Sequence, residues 1–225
     1  MKTFFESMKK FRGLWILVLV LVALIYLADA MYNNQDKLVY RESLDMVLAT
    51  IQEEDFTLRE FAVYVAHQEA EVQEQALAYD MDDTKKYWNV RTDLGFISQV
   101  ARDEAMSMAI HDELFYQLYQ ELNLEFTEGE LTLIQNNTED FWADLVDEEK
   151  DIRLGIGKED VYQTMYRIAC AQKAQMVYAG MLALDYEDLD YASEEFLDFL
   201  SDYKYEVKDH VLNRLDFGDI TLVHE

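Results

Sequence analysis

Proline is absent from this chain and glycine occurs only 7 times, so the two strongest breakers of regular structure are scarce and long helices with few tight turns are predicted. Cysteine is limited to Cys170, which excludes an intramolecular disulfide and any metal site built on several thiolates. Its setting, Ile168-Ala169-Cys170-Ala171, is apolar and reads as a buried structural thiol. Positive charge is the third shortage, with 19 Lys and Arg against 46 Asp and Glu and a net charge of −27. Lys2, Lys9, Lys10 and Arg12 sit within the first 30 residues, so the remaining 195 hold 15 basic and 44 acidic side chains, a net charge of −29. Such a surface repels phosphates and anionic headgroups, which excludes nucleic acid as a partner. Its ordinary role is to solvate the outer faces of helices.

Hydrophobic residues nevertheless make up 51% of the chain, enough for the core of one globular domain. Fourteen of them follow Gly13 in one uninterrupted apolar run, Gly13 to Leu27, behind the basic segment 1–12. A spanning helix and a cleaved secretory signal both fit that run, the latter with Ala28-Asp29-Ala30 as its cleavage site. Trp15 with Tyr26 or Tyr32 suits two membrane interfaces and favours an uncleaved signal anchor over 13–32. In either case the charge bias places residues 1–12 in the cytoplasm and exports the rest. The expected organisation is a tether over 33–46, a helical domain over 47–184, and a segment over 185–225 made of an acidic helix and extended pieces.

The helical domain is organised around Leu94 to Leu124, where Ile97, Ala101, Ala105, Met108, Phe115, Leu118 and Leu122 recur at three- and four-residue steps and need a partner surface. Val47 to Ile51 reads as a brief strand, followed by an acidic turn over 52–55. Thr57-Leu58-Arg59-Glu60 is a capping box opening a helix to Tyr79, with Phe61, Tyr64, Val65, Val72, Ala76 and Tyr79 inward. Thr127 to Glu130 is a second capping box, before a stripe of Leu131, Ile134, Phe141 and Leu145 that acidic residues 147–151 end. After the turn 154–160, a helix to about Leu184 is predicted to bury Val161, Met165, Ile168, Ala169, Gln172 and Met176. Leu189 to Leu200 reads as one more helix, and Tyr203 to Val207 and Phe217 to Val223 as extended pieces that pair with Val47 to Ile51. The fold class is mainly α with a small terminal strand pairing.

The succession Val47 to Phe61, a short hydrophobic strand, a turn and a threonine-capped helix start, resembles the opening of the amino-terminal domain of SurA and PrsA type foldases. Leu122 to Leu131 is similar to that family's second helix start, and Leu154 to Val161 to its third. Gln52-Glu53 stands where the family usually has Asn-Gly, and Gly157 where serine or threonine caps the helix. The resemblance implies a SurA-like multi-helix domain with chaperone (holdase) behaviour toward unfolded or exported polypeptides. The 41 residues after Leu184 are too few for the parvulin domain that carries isomerase activity in the family, so no isomerisation is expected. The alternative is an adaptor or accessory subunit with one dedicated partner.

Residue types that carry chemistry form no recognisable constellation. His67, His111, His210 and His224 lack HExxH or ExxH spacing. Asp80, Asp82 and Thr84 mimic a calcium loop, but Lys85 occupies the position of the turn glycine and Arg91 that of the closing glutamate. No catalytic residue, metal or cofactor is expected. His111 interrupts an apolar stripe and reads as a buried histidine bonded to a neighbouring helix. The aromatics exceed what one stripe needs, and Tyr64, Tyr116, Tyr119, Phe141, Trp142, Tyr162, Tyr166 and Met176 are expected to line a groove for clients.

Overall fold

A computed structural model describes Val22 and residues 37–224, which are mainly helical with one three-stranded sheet. The expected basic segment 1–12, the anchor 13–32 apart from Val22, and the tether up to residue 36 lie outside the described residues. Among the described residues, no helix is long and apolar enough to cross a membrane.

β1 (Val47–Ile51) is the central strand, and Leu48, Ala49 and Ile51 are buried. β3 (Tyr205–Val207) runs antiparallel to it with Ala49 opposite Val207 and Ile51 opposite Tyr205, so the expected pairing of the chain's terminal part with β1 is present. On the other edge the acidic turn is shorter than its composition suggests. Gln52, at φ 57°, and Glu53 make the reversal, and β2 (Glu54–Thr57) returns antiparallel to β1. The charges of Glu54 and Asp55 face solvent while their backbone fills the ladder, an arrangement that also protects an edge strand from further pairing. Phe217 to Val223 forms no strand.

α1 (Leu58–Tyr79) has the predicted bounds, and Glu60 accepts the Thr57 amide at 2.8 Å as the capping box requires. Tyr79 is a correction. It is 61% exposed and its ring meets Tyr87, 5.4 Å away, instead of the core. A single turn, α2 (Lys85–Trp88), precedes α3 (Ile97–Glu121). The long helix starts after Leu94 because the Thr92 amide donates to the Gly95 carbonyl and Gly95 sits at φ 139°, which leaves Leu94 86% exposed. In the stretch that mimics the opening of a calcium loop, Asp80 accepts the Asp82 and Asp83 amides and the Lys86 ammonium.

The second capping box opens α4 (Glu128–Asp147), with Thr127 accepting the Glu130 amide and Glu130 accepting that of Thr127. Ile134 and Leu145 are buried, whereas Leu131 is exposed. α5 (Lys150–Leu154) occupies the stretch expected to be a helix end and turn. α6 (Lys158–Leu182) buries Val161, Thr164, Cys170, Ala171, Ala174, Gln175 and Ala179. Met176 therefore points outward and Gln172 is exposed, because small residues set the innermost face and let α3 and α6 pack closely. α7 (Glu194–Leu200) is shorter than the expected helix, since Ser193 accepts the Phe196 amide and caps it there, after a separate 3-10 turn at Tyr186–Leu189.

The boundaries at 46 and 184 also move. Tyr40 and Leu44 of the expected tether are buried, the Tyr40 hydroxyl donates to the Leu58 carbonyl at 2.6 Å, and the Leu38 amide donates to the Arg214 carbonyl. From the other end, Leu189, Phe196, Val211, Leu212 of α8 (Asp209–Leu212), Leu215 and Phe217 join the same core.

Glu69 is what the terminal segment closes on. It lies on α1 with no exposed surface, and its carboxylate accepts the amides of Gly218 at 2.6 Å, Ile220 at 3.2 Å and Thr221 at 2.7 Å, plus the Thr221 hydroxyl at 2.5 Å. Gly218, at φ 96°, is required there: a Cβ would meet the Trp88 ring at 2.6 Å. Glu69→Ala strips the acceptor from four donors, three of them backbone amides. We expect a loss of about 3–5 kcal/mol in chemical denaturation, with hydrogen exchange accelerating first at Gly218 and Thr221. Glu69→Gln, which keeps one acceptor oxygen, falls between.

Candidate functional site

Helical spacing brings a set of large side chains to one place between the helices. Val63, Tyr64 and His67 come from α1, Met108, His111 and Asp112 from α3, and Met165, Ile168, Gln172 and Gln175 from α6. Phe141 of α4 joins them, and Tyr186, Asp190 and Tyr191, in the segment after α6, form a roof. Together they surround a cavity of about 310 Å³ with mostly apolar walls, within the size range of small-ligand sites.

The roof is fastened by two buried side chains. Gln175 Nε2 donates to the Tyr186 carbonyl at 3.1 Å, and His111 Nε2 lies 3.0 Å from the Leu189 carbonyl. The other imidazole nitrogen, Nδ1, is 2.9 Å from Asp112 Oδ1, while Asp112 Oδ2 accepts the Tyr64 hydroxyl at 3.1 Å. A carbonyl can only accept, so Nε2 carries a proton and donates to Leu189, while Nδ1 faces the Asp112 carboxylate. Phe115 and Phe196 hold it from the sides, with centroids 4.8 and 4.7 Å away. The expectation of a bonded, buried histidine is met, though its partner is a 3-10 turn and not an α-helix. Among the described residues that line the cavity, none is serine, cysteine or lysine.

The eight residues expected to line one groove separate into several places. Tyr64 and Phe141 line the cavity. Tyr116 lies under the Arg167 guanidinium, 4.5 Å from its ring, and Arg167 donates to Glu60 at 2.7 Å and to Glu113. Tyr119, Tyr166 and Tyr162 belong to an aromatic ladder continued through Phe126, with successive centroids 5.4, 5.6 and 6.3 Å apart. Cys170 is buried beside Tyr119 and Tyr166, and burial pushes its thiol up to about 11. Tyr162 also borders a shallow polar depression with Thr138, Glu139 and Lys158. Trp142 packs half-buried on the core, and Met176 is 65% exposed.

The sequence reading missed Met108, Asp112, Met165 and Ile168 as members of one site. Their signal was present, because Met108, His111 and Asp112 share a face at three- and four-residue steps, as do Met165, Ile168, Gln172 and Gln175. No periodicity announces the roof. No family model, curated protein or solved structure matches the chain.

Electrostatically the site and its surroundings are acidic. Burial, reinforced by Asp112, Asp190 and Glu187, raises the Tyr186 hydroxyl above its ordinary value, and burial with Glu104, Glu71 and Asp190 does the same to Tyr191. Burial also raises the carboxyls of Glu69 and Glu113, against the pull of four donors on the first and of Arg167 and Gln117 on the second. Both groups bind a proton more tightly in the native than in the unfolded chain. Their contribution to stability is thus greatest below the ordinary carboxylate range and is lost as pH rises through their native values. Thermal midpoints should climb as pH is lowered through the native values of these two carboxyls toward the ordinary carboxylate range, and Glu113→Gln should flatten that slope. Glu130 opposes this below the ordinary carboxylate range, since the Lys173 ammonium and Thr127 hold it down at about 2 and its contribution is lost as pH falls toward that value.

Proposed function

We propose that the chain is a membrane-tethered, extracytoplasmic, chaperone-like (holdase) protein that binds unfolded or exported polypeptides, with no isomerase activity. The observation that carries this reading is the roofed cavity, an apolar-walled space bordered by Met108, Met165, Ile168 and Phe141 with polar groups at one end. Walls of this kind accept side chains of varied shape, because methionine adapts its rotamers at low cost. The size suits one or two side chains of an extended segment.

Two further features support it. The order of strand, capped helix, long helix, capped helix and glycine-led helix is the order that resembles the SurA and PrsA amino-terminal domain. The apolar run behind a basic segment supplies the tether and the export topology. Acidic helix faces surround the site and keep a client-loaded complex soluble.

The test is suppression of aggregation of an unfolded client by the full-length chain in nonionic detergent, run beside a prolyl isomerisation assay. Suppression at near-stoichiometric ratio without isomerisation is expected. Ile168→Trp fills the cavity from α6 and should weaken client affinity by about tenfold, or about 1.4 kcal/mol, while helical content by circular dichroism is retained. A folded protein that suppresses nothing, and that captures one stoichiometric partner from membranes, would establish the adaptor reading instead.

A further inference from the structure

The cavity's lining points to a particular occupant, and the inference rests on the polypeptide-binding reading above. Its floor and walls are apolar, whereas its roofed end carries Asp112 and Asp190 and no lysine or arginine. Both histidines of the lining have acidic neighbours: His111 is paired with Asp112, and His67 lies 3.7 Å from Glu71. Asp190 stands exposed at the mouth beside Tyr186 and Tyr191. Four aromatic residues, Tyr64, Phe141, Tyr186 and Tyr191, border the same space, and aromatic rings attract cations.

Three kinds of side chain compete for such a space. An acidic one meets Asp112 and Asp190 with no compensating cation. A purely apolar one fits the walls but takes water from carboxylates without replacing it. A long basic one satisfies both halves, since its methylene stem lies along Met108, Met165 and Ile168 and its charged head reaches the carboxylates and rings. A volume of about 310 Å³ admits such a side chain with part of its neighbour. We propose that the cavity takes a lysine or arginine side chain of the bound polypeptide, with its charged head held between Asp190 and the tyrosines of the roof.

The closing experiment separates this from attraction by the acidic surface at large. A fluorescent, unstructured peptide with one central lysine is compared with twins carrying norleucine or glutamate there, by anisotropy against the full-length chain in nonionic detergent at ~0.15 M salt. The lysine peptide should bind about tenfold tighter than the norleucine twin, and the glutamate twin weakest. Asp190→Asn, an exposed site whose change leaves the fold intact, should shrink the lysine preference to about twofold or less while the norleucine affinity stays where it was. Ile168→Trp should abolish the preference. Equal or tighter binding of norleucine overturns the proposal and leaves polypeptide binding standing. A lysine preference that survives both variants belongs to the general acidic surface and overturns it equally. If neither peptide binds, the polypeptide-binding reading falls with it.

Discussion

The carboxylate of Glu69 is the constraint that closes this fold. It is buried in the middle of α1, where an isolated charge is expensive, and only the four donors of residues 218–221 make it tolerable. The dependence runs in both directions. The terminal segment has little regular structure of its own, so without the carboxylate its amides have no partners. Once it is held, Phe217 packs on Phe61, Gly218 fits against Trp88, and Lys85 reaches Asp219 at 2.9 Å. The same segment places Arg214 where it accepts the amide of Leu38. A single acceptor thereby joins the first helix to both ends of the described body.

A second buried charge does comparable work for the helices. Arg167 of α6 lies between Glu60 at the start of α1 and Glu113 on α3, above the ring of Tyr116. Glu60 divides its two oxygens between this arginine and the Thr57 cap, so the start of α1 and the position of α6 are set by one side chain. Gln117 occupies the remaining oxygen of Glu113. In a chain of net charge −27, several of the few cations sit in exposed pairs of small value, such as Lys86 with Asp80 and Lys158 with Glu139, whereas Arg167 is partly buried. This one is placed where it organises three helices, and removing one member of such a partly buried set typically costs about 3–5 kcal/mol.

What could be read in the sequence follows from the range of the forces involved. Capping boxes at Thr57 and Thr127 and the periodicity of the long helices are local, and the bounds of α1 were legible to the residue. Gly95 and Ser193 are local signals too, yet each delayed the start of a helix beyond what the apolar pattern alone implies. Glu69 was illegible, because its partners lie about 150 residues away and a glutamate between Gln68 and Ala70 has no distinguishing neighbours. Of the expected groove only Tyr64 and Phe141 share the cavity. The other aromatics are spent on Arg167, the core and the ladder beside Cys170. Aromatic surplus marks where packing is dense, and whether it also marks a site depends on which helix faces meet, a tertiary fact.

The cavity's character follows from how unevenly it is held. Its helical walls are fixed: Ile168 is adjacent to Arg167, Met165 lies two residues before it, and the alanines of α3 and α6 keep those helices close. Its roof is different. Residues 186–191 contain one short 3-10 turn, and their polar ties to the helices are the bonds from Gln175 and His111. His111 Nε2 donates to the roof while its Nδ1 faces Asp112, itself steadied by Tyr64. Displacing the roof would break these two hydrogen bonds and pull Leu189, 1% exposed, out of the core. The side chain that ties the roof down, His111, also forms part of the cavity's polar end.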